Sequence, residues 1–89
     1  MMYRVPDGVL RADLDGEEVM LDPRSGIYHL LNPTGRYLVA CFSDGVSFEV
    51  AVDRLAEESG AEREDVRKDA DVFVAAMIER GLLEAAAGR

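Results

Sequence analysis

His29, Cys41 and the acids between residues 62 and 80 are the side chains that could do chemistry, and the residue types and spacing around them decide against catalysis. His29 is the only histidine and sits between Ile27 and Leu31 with no carboxylate beside it in sequence. An imidazole serves as a general base when a nucleophile lies within hydrogen-bond reach, or as a metal ligand when further His, Cys or carboxylate donors recur at fixed spacing. Neither pattern occurs in this sequence, so His29 reads as a half-buried or cleft-lining residue. Cys41 shares a helical stripe with Leu38 and Phe42, the setting of a core thiol rather than a nucleophile. As the single cysteine it excludes an internal disulfide and a cysteine-based zinc site. A non-enzymatic protein without cofactor or metal is therefore expected.

The chemistry that remains belongs to the backbone. Residues 21–31, LDPRSGIYHLL, run directly into Asn32, Pro33, Thr34 and Gly35. Pro23 presets φ in a turn and Gly26 supplies its positive-φ position, so two short strands form a hairpin. Asn32 then caps a helix that starts at Pro33, where a missing N–H costs nothing. Because the sheet gives way to helices at this point, one strand edge has no later strand in the chain to cover it. Such an edge is either a liability or a binding site, and a second copy of the chain could pair with it.

Three strands must present that edge. The first runs irregularly over 5–14 around Pro6-Asp7-Gly8 and ends at Asp15-Gly16, a strong hairpin signal. The second covers 17–21, with Val19 and Leu21 on one face and Met20 on the other; the third covers 26–31, with Ile27, His29 and Leu31 alternating against Tyr28 and Leu30. Only one face of a small sheet can rest on helices, so Met20, Tyr28 and Leu30 read as an exposed apolar face that something else covers.

Three helices follow. The first spans 33 to about 42; Ser47 caps the second, which carries Phe48, Val52 and Leu55 and ends near Ser59-Gly60. The third starts near Ala61, places Glu62, Glu64 and Asp65 where acids complement the helix dipole, and ends at Gly81. Val66, Ala70, Phe73 and Met77 form its expected core stripe, flanked by Asp69, Val72 and Ala76 on one side and by Val74 and Ile78 on the other. The predicted fold is α+β and winged helix-turn-helix-like, a three-stranded antiparallel sheet followed by three helices. Residues 1–84 form a single domain and 85–89 a frayed tail.

Eighty-nine residues support one core but no deep, walled active site with a cofactor fold. The 48% hydrophobic content favours a folded globule, and the formal net charge of −8 argues against nucleic acid and anionic membranes as partners. A winged-helix DNA-binding domain shares the topology, yet its recognition helix would be basic, whereas residues 62–80 carry six acids against four basic side chains. Lacking an apolar run of membrane-spanning length or a signal-peptide pattern, the chain is expected in the cytoplasm.

Taken in order, LDPRSGIYHLLNPTG, Asp44-Gly45, Leu55-Ala56-Glu57-Glu58, Val66-Arg67-Lys68-Asp69 with Phe73 and Met77, and Glu79-Arg80-Gly81-Leu82-Leu83 resemble the PqqD-like family, across residues 9 to 84. These are recognition elements for ribosomally made precursor peptides. The resemblance implies a non-catalytic binder of leader peptides, in which the leader adds as an antiparallel strand to the third-strand edge and lies in a cleft with the third helix. Ile27, Tyr28, His29, Leu30 and Leu31 would then form the edge. Asp69, which matches a recurrent family Asp, would line the helix side with Val72, Phe73 and Ala76; Val74 and Ile78 are the alternative wall. Within the family, the LDxxxGxYHLLN-like segment is most similar to the free-standing B1 type of lasso-peptide pathways. That type implies two further partners, a transglutaminase-like leader peptidase (B2) and an ATP-dependent cyclase. The alternative is a PqqD-type chaperone of pyrroloquinoline quinone synthesis, whose usual segment differs at Asp22 and at Tyr28-His29.

Overall fold

The computed structural model describes residues 1–86. Its elements are β1 (Met2–Arg4), β2 (Leu10–Leu14), β3 (Glu17–Asp22), β4 (Ile27–Leu31), α1 (Pro33–Ser43), α2 (Phe48–Ser59), α3 (Arg63–Glu79) and β5 (Glu84–Ala86). β2, β3 and β4 form the expected antiparallel sheet in that order, and the three helices follow it.

Local chemistry closes each connection. Asp15 and Gly16 both have positive φ, 54° and 84°, which matches the twist of a two-residue hairpin between β2 and β3. Between β3 and β4, the Gly26 N–H donates to the Asp22 carbonyl at 2.8 Å and the Arg24 N–H to the Asp22 carboxylate at 3.0 Å. Asn32 Oδ1 accepts from the Gly35 N–H at 2.7 Å at the start of α1, and Ser47 Oγ from the Val50 N–H at 3.3 Å at the start of α2. After α3 the chain reverses sharply, and the Leu82 and Leu83 N–H groups both donate to the Met77 carbonyl.

The structure departs from the sequence reading in four places. Residues 5–9 are not strand; the sheet begins at Leu10. A second, two-stranded sheet pairs β1 with β5, so Ala85 and Ala86 are paired rather than frayed, and the rest of that expected tail, 87–89, lies outside the described residues. Tyr3 anchors this small sheet by packing its ring 5.5 Å from Phe42 and 6.1 Å from Phe48. Met20, assigned above to the exposed face, is fully buried. It pairs with His29, so it shares the helix-facing side with Ile27 and Leu31, while Val19 and Leu21 lie with Leu30 and Tyr28 on the outer side. Finally, the core stripe of α3 is Val66, Ala70, Val74 and Met77. Phe73 is only partly buried, because the sheet approaches α3 from the flank of that stripe.

The core packs Met20 and Leu31 from the sheet against Leu38, Val39 and Phe42 of α1, Ala51 and Val52 of α2, the α3 stripe, and Leu82 and Leu83. Ion pairs fasten the periphery. Arg11 bridges Glu18 at 2.6 Å and Ser43 at 3.2 Å, joining the sheet to α1. Glu49 on α2 accepts from Arg63 and Arg67 of α3, and these two hydrogen bonds, Arg67's first, hold its carboxyl below the usual carboxylate range. Such solvent-exposed pairs contribute little to stability individually. No described helix is long and apolar enough to cross a membrane.

Candidate functional site

β4 is the last strand of its sheet, and its outer edge pairs with no strand among the described residues. Its alternation decides what the edge presents. Ile27, His29 and Leu31 point to the helix side with exposure falling along the strand, from 41% at Ile27 to 4% at Leu31. Tyr28 and Leu30, 65% and 50% exposed, point to the outer face.

α3 supplies the other wall. Asp69, Phe73, Ala76 and Arg80 recur at spacings of four, three and four, which sets them in one row beside the core stripe. The Phe73 ring meets the His29 ring edge-on, with centroids 6.3 Å apart and planes at 71°. It also covers Gly35: a Cβ there would fall 2.9 Å from Phe73 Cε1, closer than carbon atoms tolerate. Arg80 Nη1 lies 3.3 Å from His29 Nδ1. Guanidinium only donates, so Nδ1 is the acceptor and the neutral ring carries its proton on Nε2. Burial, then the Arg80 charge, push the His29 pKa below its ordinary value, which keeps the ring neutral near pH 7.

The expected site residues are therefore distributed unevenly. His29 and Phe73 are in contact, and Asp69 and Ala76 belong to the same α3 row. Asp69 also borders a hollow of about 190 Å³ with Thr34, Leu55 and Val66. Val72 is 71% exposed beside the row. Tyr28 and Leu30 direct their side chains away from the cleft and offer it only their backbone. Of the alternative wall, Val74 is buried in the core and Ile78 is exposed on a different flank of α3. Two participants escaped the sequence reading. Arg80 was legible in principle, seven residues after Phe73 on the same face; Gly35 was not, since nothing local says that an aromatic ring lies over it.

An open strand edge beside an aromatic ring offers main-chain hydrogen bonds and apolar contact. Among the described residues no three His, Cys, Asp or Glu side chains are grouped to hold a metal ion. Cys41 is buried and desolvation raises its thiol pKa, the reverse of what activates a nucleophile.

Comparison with known proteins agrees in direction. The family described as coenzyme PQQ synthesis protein D (PqqD) matches residues 17–83. A structure of lasso peptide synthetase B1 complexed with the leader peptide is 31% identical, with a TM-score of 0.87 over 94% of this chain and 99% of that one. The structure of TbiB1 in complex with the TbiA(β) leader peptide is 29% identical, with a TM-score of 0.84 over 96% of this chain and 99% of that one. A search of curated proteins finds no match.

Proposed function

Because this chain belongs to the PqqD family, we propose that it is a non-catalytic recognition element that binds the leader of a ribosomally made precursor peptide in a lasso-peptide pathway. The leader adds as an antiparallel strand to β4 and packs its inward side chains against Asp69, Phe73 and Ala76 of α3. The observation that carries this reading is the unpaired β4 edge lying beside that row. The likeness to two leader-bound B1 proteins supports it. An added strand draws sequence-tolerant affinity from main-chain hydrogen bonds and selectivity from side-chain pockets. Ordering an unstructured leader costs about 2–5 kcal/mol, which apolar anchors such as Phe73 help to offset.

The test is amide hydrogen exchange with and without a synthetic leader peptide of a lasso precursor. Pairing with β3 already protects alternate amides of β4, so leader should slow the complementary alternate set between Ile27 and Leu31. Saturable binding with protection confined to other segments would refute strand addition.

In the same reading the bound leader is presented to a B2-type peptidase, and then to a cyclase. The outer sheet face is the surface we assign to the peptidase. Leu10, Leu14, Tyr28 and Leu30 are all at least half exposed there, flanking Val19 and Leu21, an apolar expanse of the kind that marks interaction surfaces. Tyr28→Glu should then slow leader-dependent proteolysis while leaving leader affinity unchanged. An equal loss of both would discard this assignment.

A further inference from the structure

Six arginines of this acidic chain are ion-paired on the protein itself: Arg4, Arg11, Arg24, Arg36, Arg63 and Arg67 each meet an Asp or Glu. Arg80 differs. Although Glu79 and Glu84 are near it in sequence, it pairs with no carboxylate among the described residues, and its only side-chain contact of this kind is the uncharged Nδ1 of His29. It stands at the end of the Asp69-Phe73-Ala76 row, where the cleft opens toward Ile27. One donor of its fork is engaged by the imidazole, and the residue as a whole is exposed. The Phe73 ring also meets His29, edge-on. A guanidinium oriented by a neutral acceptor and left without a counter-charge is arranged to receive a planar anion, and a carboxylate meets its geometry bidentately.

We propose that Arg80, positioned by His29, is a carboxylate receptor that selects peptides carrying an Asp or Glu side chain opposite His29. This inference rests on the strand-addition reading. A peptide running antiparallel to β4 turns alternate side chains toward α3, and the one level with His29 comes within reach of Arg80. That residue is the middle one of the five that would face Ile27–Leu31, with the peptide's later residues passing the beginning of β4. His29 contributes by fixing the fork without competing for the anion.

The probes are synthetic lasso-precursor leader peptides, each acidic residue exchanged in turn for its amide, titrated by fluorescence anisotropy against wild type, Arg80→Gln and Arg80→Lys. Arg80 is exposed, so folding of the variants is expected to persist and is checked by melting. One acid-to-amide exchange should weaken binding to wild type about tenfold, the size of a charge-assisted pair, and leave binding to Arg80→Gln unaltered. Arg80→Lys should retain part of the discrimination, since it keeps the charge but loses the fork. If no exchange alters wild-type affinity, or if the peptide and protein changes simply add, the carboxylate site is wrong, while protection of alternate β4 amides would still uphold strand addition. If no leader peptide binds wild type at all, both fall together.

Discussion

Met20→Ala is expected to remove about 2–5 kcal/mol of stability, the range for truncating a fully buried large side chain, whereas Leu21→Ala, one residue on, should remove clearly less. Met20 has no exposed surface and sits where β3 lies on the helical layer; Leu21 is only partly buried and faces outward with Tyr28. Its collapse would leave a void between sheet and helices that surrounding groups refill only in part. For a domain of this size each kcal/mol lowers the melting temperature by about 4–8 °C, so thermal denaturation separates the two variants easily. Equal losses would mean that β3 is turned over, with Val19 and Leu21 inward. Every assignment on β4 would then invert as well, because cross-strand partners share a face.

Gly35→Ala should weaken recognition as well as folding. Gly35 is the third residue of α1, in the turn that Asn32 caps, so alanine there gains less than the ~1 kcal/mol of a helix interior, and its Cβ would meet Phe73 Cε1 at 2.9 Å. The ring is the movable partner, since Asn32 Oδ1, 3.3 Å from the same position, is tied to the N-terminus of α1. Displaced from Gly35, Phe73 moves toward His29 and narrows the cleft beside β4. Overpacking of this sort costs about 1–3 kcal/mol of folding stability, seen as a lowered melting temperature, and the narrowed cleft should read in a leader titration as about a tenfold loss of affinity. Gly35→Ala combined with Phe73→Leu should recover much of the affinity by restoring the space. A variant that binds leader normally would show that Phe73 is not a wall of the binding cleft.

These experiments separate what was legible in the residues from what was not. Turns and caps were legible because their chemistry is local: Asp15-Gly16, Gly26, Asn32-Pro33, Ser47 and Gly60 act within a few residues of themselves, and each stands where that chemistry placed it. The order of strands and helices, and hence an edge left open on β4, follows from that local chemistry. The β1–β5 pair was not legible. Its strands are three residues each, and their partners lie at opposite ends of the chain; Tyr3 finds Phe42 and Phe48 only after α1 and α2 have packed.

The sequence by itself determined the number and order of the main elements, the acidic exterior and the likeness to a leader-binding family, all carried by short-range preferences or composition. Only the tertiary structure decided which faces are buried. Period-two and period-3.6 patterns state which residues share a side, but both sides of β3 and β4 are apolar, and α3 offers hydrophobic residues on two flanks. The choice between them is made by packing across long sequence separations: Met20 goes inward because it pairs with His29 above the helices, Val74 displaces Phe73 from the core, and Phe73, Arg80 and His29 meet at the open edge.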